Sequence, residues 1–311
     1  MDGRLAGLAA HVRPVFMLPV VAISVCGALL APSVDGWLLA GHAVAAGAAL
    51  FVAHLRDGLV DGHVRGEERP LLSAATYRRA TAAATVVVLL LAASLAVTAN
   101  ALASGSIVVL LCLALLHAPY LDRHPVSVTV DYPVGIATAL AGGFATQTGT
   151  LPVETVAAAV SVASLLAGIK VGIDRLDAAF DRTIGKRTVP VIAGARGAQR
   201  VAIGSFAVTA LAVLGSVGAG VFPPLAVVAA VAAAGCAATT LSLPPGTAVR
   251  VQMALSYVFV SALFLGLCGR GCAGWTVASQ WSPLSAIGQV QLDLVRGGLQ
   301  LVEDSPLTAL L

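Results

Sequence analysis

Asp174-Arg175-Leu176-Asp177-Ala178-Ala179-Phe180-Asp181-Arg182-Thr183-Ile184-Gly185-Lys186-Arg187-Thr188-Val189-Pro190 follows directly on a long apolar run. Its three carboxylates stand at i, i+3 and i+7, a spacing that puts them on one face of a helix. Like charges stacked in this way repel, so the arrangement costs stability unless a cation sits among them. Mg²⁺ suits such a site, because it takes oxygen ligands, keeps several waters and is usually held by one or two carboxylates plus substrate phosphates. Lys186 and Arg187 then stand ready for the same phosphate oxygens, Arg as a two-pronged fork. The plainer alternative is three solvated acids at a helix end, balanced by neighbouring Arg.

A second stretch has the same rhythm. His54-Leu-Arg56-Asp57-Gly-Leu-Val-Asp61-Gly-His63-Val-Arg65-Gly-Glu67-Glu68-Arg69-Pro70 places His54, Asp57 and Asp61 at the 3+4 spacing of Asp174, Asp177 and Asp181. One Asp-x-x-x-Asp carries little information. Two, each ending an apolar run and each followed by basic residues, suggest two halves of a pseudo-repeat facing one cavity. Metal ions held there would bridge and neutralise a departing diphosphate.

The rest of the chain says where these motifs sit. Of its 311 residues 58% are hydrophobic and 11% charged, with a mean hydropathy of +0.94. A soluble domain has about 45–50% apolar and 25% charged residues, so a water-soluble globular protein is excluded. A formal charge of +3 is too close to balance to imply nucleic acid. Apolar runs bounded by Gly, Pro or charge predict an all-α bundle of about nine membrane spans, near 15–31, 36–56, 80–99, 103–121, 126–146, 153–174, 199–220, 223–242 and 250–268. With the N-terminus in the cytoplasm, every Lys and Arg except Arg270 and Arg296 falls on the cytoplasmic side, as the positive-inside rule requires. The two longest charged loops, about 57–79 and 175–198, then lie on that one face, where ionisable groups mark an active site. Residues 1–270 read as one transmembrane domain and 271–311 as a tail, with an interfacial helix near Ile287–Val302. Cys26, Cys112, Cys236, Cys268 and Cys272 read as small packing residues, the alternative for Cys268 and Cys272 being a disulfide or metal site at the end of the last span.

Taken together, the motifs resemble the UbiA superfamily of intramembrane prenyltransferases. That family has nine helices, an Asn-Asp-x-x-Asp-x-x-x-Asp motif after helix 2 and an Asp-x-x-Asp-x-x-x-Asp motif after helix 6. Asp174 to Asp181 with Gly185–Pro190 behind it matches the second motif closely. Arg13-Pro14, Arg69-Pro70 and His117-Ala-Pro119-Tyr120 resemble further family positions, so the likeness runs over about 10–270. The first motif departs from the pattern: Ala53-His54 stands where the family has Asn-Asp. Either His54 replaces a metal contact with a direct phosphate contact, or the metal site on this side is weaker, or the chain is a degenerate, inactive homologue. The end of the fourth span also lacks the basic residue often found there, having Asp122 before Arg123.

The resemblance implies Mg²⁺ held by Asp57, Asp61, Asp174, Asp177 and Asp181, and a prenyl diphosphate donor contacted by His54, Arg65, Arg69, Lys186 and Arg187. It implies transfer of the isoprenyl group to a hydrophobic acceptor such as a quinone precursor or lipid, in the plasma membrane, with membrane lipid as surroundings. Asp131, the one acid deep in an apolar run, and Tyr120 are acceptor candidates. Asp131 could equally serve a structural bond to Tyr120 or His117. A rival enzyme class, the CDP-alcohol phosphatidyltransferases, begins its motif much as Asp57-Gly-Leu-Val-Asp61-Gly-His-Val-Arg65 does, but the spacing is one residue too long. A transporter would carry its ionisable groups near the bilayer midplane rather than at one face.

Overall fold

A computed structural model describes residues 3–269 and Gly271. A short helix α1 (Gly3–Ala9) is followed by nine apolar helices: α2 (Pro14–Leu29), α3 (Gly36–Leu59), α4 (Ala74–Thr98), α5 (Ala101–His117), α6 (Pro125–Thr148), α7 (Val153–Thr183), α8 (Val189–Gly218), α9 (Val227–Ser242) and α10 (Pro245–Cys268). Among the described residues there is no strand. Among the described residues seven helices are long and apolar enough to cross a membrane, while α2 and α5 are shorter. The proposed interfacial helix of the tail falls outside the described residues.

Each apolar run forms a helix because a hydrocarbon surrounding leaves backbone N–H and C=O groups no partner but one another. The starts carry local signals: Asp35 accepts from the N–H groups of Trp37 and Leu38, and Ser73 and Asn100 cap α4 and α5 in the same way. Two expectations change. The stretches read as charged loops are largely helical, α3 continuing through a π-helical turn to Arg65 and α7 running on to Thr183. Cys268, read as a packing residue, is disulfide-bonded, whereas Cys26, Cys112 and Cys236 are free thiols.

α2 packs against α3 and α6, and α7 against α6, α8 and α10. The α2–α6 contact depends on missing side chains. A Cβ on Gly27 would lie 2.0 Å from the Leu140 carbonyl oxygen, and one on Gly143 would lie 2.1 Å from that of Ser24. Small residues let the two backbones meet, as membrane helices require in the absence of a hydrophobic drive between them. Gly143→Leu is expected to cost about 3 kcal/mol or more, seen as loss of the monodisperse peak on size exclusion in detergent.

Next to this contact, His42 ties three helices together. Ser106 Oγ donates to the Ala103 carbonyl, so it accepts from His42 Nε2 at 2.9 Å, leaving His42 Nδ1 to accept from Ser24 at 2.7 Å. The ring is buried and its bonding capacity is filled, which makes it part of the scaffold. The scaffold brings the C-terminal ends of α3, α5 and α7 to one end of the bundle, where the acids gather.

Candidate active site

Both acidic motifs end in the same local device. After α7 the chain turns at Gly185, whose φ of 73° only glycine adopts freely, and the N–H of Lys186 returns to the carbonyl of Asp181 at 2.9 Å. After the π-helical turn the chain reverses at Gly66, φ 68°, and the N–H of Glu67 returns to the carbonyl of Asp61 at 2.8 Å. The two residues released by these turns meet: Lys186 Nζ stands 3.3 Å from Glu67 Oε2. Glu67 also faces Arg65 at 3.6 Å, and its side chain is only 5% exposed. A buried carboxylate thus ties a base from each half of the molecule.

Between the helix ends lies a cavity with about 660 Å³ of atom-free space. Asp57 and Asp61 from the first motif and Asp174, Asp177 and Asp181 from the second all line it, together with Arg65 and Lys186. His117, Asp122, Lys170 and Thr188 complete its polar wall. The other expected groups stand elsewhere. Arg69, Arg187 and Tyr120 are exposed outside the wall. Asp131 is buried behind it, one oxygen accepting the N–H of Tyr132 at 2.6 Å and the other bonded to His117 Nδ1. Of the roles open to Asp131, the bond to His117 is present. His117 presents Nε2 to Asp57 Oδ1 at 3.7 Å.

His54 is turned away from the cavity. It is buried, Nδ1 donates to the carbonyl of His11 at 3.1 Å, and the ring meets Phe16 edge-on at 6.1 Å. His11 in turn donates from Nδ1 to the Gly7 carbonyl and accepts from Tyr77 at 3.0 Å. His54 thereby anchors the N-terminal segment. His54→Ala is expected to lower stability by about 1–3 kcal/mol while changing kcat/KM of the folded protein by less than about threefold, checked by thermal unfolding alongside kinetics.

The wall has a high density of unused oxygen. Asp57 Oδ1, Asp122 Oδ1 and Asp174 Oδ2 are buried without hydrogen-bond partners, a costly state for a carboxylate unless a cation or donor arrives. Lys170 occupies the other oxygen of Asp174, and Thr188 donates to Asp181 Oδ2 at 3.1 Å. Among the described residues no three His, Cys, Asp or Glu side chains stand as a group that could hold a metal ion by themselves. An open ring of this kind fits Mg²⁺, which completes its shell with water and phosphate.

A sequence model described as the UbiA prenyltransferase family matches residues 6–263. The chain belongs to the UbiA prenyltransferase family. The match, with the seven long apolar helices, makes it an integral membrane protein, and it overturns the phosphatidyltransferase alternative. No curated protein sequence matches the chain. Solved structures share the UbiA fold. A digeranylgeranylglyceryl phosphate synthase aligns with TM-score 0.70 at 12% identity, over 86% of this chain and 99% of its own. A UbiA homologue from Archaeoglobus fulgidus bound to DMAPP and Mg²⁺ gives 0.62 at 15%, over 86% and 99%. An apo UbiA homologue from Aeropyrum pernix K1 gives 0.56 at 18%, over 81% and 98%.

In this UbiA-family chain, reading the motifs alone missed four wall residues. Lys170 had a signal, its i, i+4 spacing to Asp174. His117 stood among the family-like positions without a role. Asp122 lies in the short 3₁₀ turn Leu121–Arg123 and Thr188 at the entry to α8, where no periodicity predicts direction.

Proposed function

We propose that this protein transfers an isoprenyl group from a prenyl diphosphate to a hydrophobic acceptor, with release of diphosphate and dependence on Mg²⁺. One observation carries the proposal: residues of two acidic motifs from separate helices line one cavity together with Arg65 and Lys186. Mg²⁺ at Asp57, Asp61, Asp174, Asp177 and Asp181 would neutralise the diphosphate as it leaves. Arg65 and Lys186 supply further charge-assisted contacts to the phosphate oxygens. The C1–O bond of the donor breaks, the electron pair leaves with diphosphate, and a nucleophilic carbon or oxygen of the acceptor bonds to the allylic carbon.

A narrow apolar crevice, with room for about one water, lies in the half of the bundle remote from the acids, between α2, α6, α7 and α10, and includes Ile23, Leu140, Val162 and Phe264. The charge asymmetry of the loops supports nine spans with the N-terminus and the acidic cavity on the cytoplasmic side of the plasma membrane. Residues 1–270 form the transmembrane domain in this scheme, and 271–311 a tail.

Glu67 sets the position of the two bases. Glu67→Gln is expected to raise KM for the donor about tenfold or more while leaving kcat within about threefold, read from steady-state kinetics with the donor varied. The founding test is diphosphate release by the purified protein in lipid, with Mg²⁺, prenyl diphosphates of several lengths and a panel of acceptors. Release with product identifies both substrates. Bound donor that is never cleaved, with any acceptor, overturns the proposal in favour of a degenerate homologue.

A further inference from the structure

The head of the first motif, His54, contributes nothing to the cavity wall, yet the wall holds an acid that neither motif contains. Asp122 comes from the turn between α5 and α6. Its side chain is 5% exposed, and Oδ2 is held by Arg65 Nη2 at 2.5 Å. Oδ1 is buried without a hydrogen-bond partner, and the residue lines the cavity. The same guanidinium reaches Asp61 Oδ1 through Nη1 at 3.4 Å. One planar fork therefore fixes the carboxylates of Asp61 and Asp122 relative to each other.

A carboxylate gripped through one oxygen, with the other left bare, has the form of a ligand oriented by a supporting partner. The α5–α6 turn that carries it is itself braced, since Arg56 Nη2 donates to the Ala118 carbonyl at 2.8 Å. Leaving a second buried carboxylate oxygen unsatisfied beside Asp57 and Asp61 costs free energy unless a cation joins them. A guanidinium cannot meet that need alone, because it is already shared by Asp61, Glu67 and Asp122.

We propose that Asp122 is a metal-ligating residue, joining Asp57 and Asp61 through Oδ1 in holding a divalent cation and standing in for the acid missing at His54. The inference rests on the metal-dependent function proposed above and assigns a residue outside both motifs to it.

Mn²⁺ alone is the probe, with the full chain in lipid nanodiscs and bound ion counted by electron paramagnetic resonance in the absence of any donor. Asp122→Asn is expected to weaken one Mn²⁺ by about tenfold or more, while Arg65→Gln, which releases Asp61 and Asp122 but removes no oxygen ligand, weakens it less. Asp122→Cys adds a soft ligand and is expected to bind Cd²⁺ in preference to Mn²⁺ relative to wild type, a reversal that a structural role would not produce. Wild-type affinity and stoichiometry in Asp122→Asn, or no change of metal preference in a folded Asp122→Cys, overturns the inference while leaving the prenyltransferase proposal standing. Equal losses in Asp122→Asn and Arg65→Gln overturn it as well, by showing that Asp122 acts only through Arg65. A wild type that binds no Mn²⁺ overturns the metal reading of the whole cavity and this assignment with it.

Discussion

Asp177→Ala is expected to lower prenyl transfer by about 10²–10³-fold and to leave the melting temperature of the protein almost unchanged. The contrast follows from where the three acids of α7 stand. Asp174 is buried against Lys170, and Asp181 is buried and bonded to Thr188. Removing either of those strands a partner and confounds catalysis with folding. Asp177 lines the same cavity but is exposed, so its loss removes a ligand without opening a hole in the packing. Product formation should be compared with unfolding measured in the same detergent. Full activity in a folded Asp177→Ala protein would remove the second motif from the metal site.

Withholding divalent metal is expected to weaken donor binding itself by at least about 100-fold, not merely to stop turnover. The wall carries Asp57, Asp61, Asp122, Asp174, Asp177 and Asp181, but only Arg65, Lys170 and Lys186 as permanent cations. A diphosphate therefore enters a cavity of its own sign. Like charges a few ångströms apart and partly shielded from water repel by several kcal/mol, more than the contacts from Arg65 and Lys186 can offset. Equilibrium binding of a radiolabelled prenyl diphosphate, with Mg²⁺ or with chelator, measures this directly. Metal-independent binding of equal strength would mean that the bases hold the donor and the acids serve another purpose.

Much of the fold was legible in the chain. The nine apolar runs overlap α2 to α10, seven of which are long and apolar enough to cross a membrane, because length and hydropathy decide whether a segment can satisfy its backbone inside hydrocarbon. The motifs were legible because a period of 3.6 residues places i, i+3 and i+7 on one face whatever that face meets. Their helical extent was not: both charged stretches look like loops, yet α7 and the turn after α3 carry the helix past the apolar boundary, so that the acids ride on rigid backbone.

His54 and Asp122 mark the boundary between the two kinds of knowledge. His54 has the spacing of a site residue, but the rotation of α3 about its axis is set by neighbours, including a segment whose His11 carbonyl claims the imidazole. Asp122 has no spacing at all, being in an irregular turn, and it reaches the cavity only because α5 and α6 deliver that turn beside Arg65. The amino-acid sequence by itself determined where the apolar helices fall, the faces of the two acidic motifs and the glycine turns that follow them, since each depends on local geometry. Only the tertiary structure decided which of those side chains share one cavity, because that depends on how helices far apart in the chain pack and turn against one another.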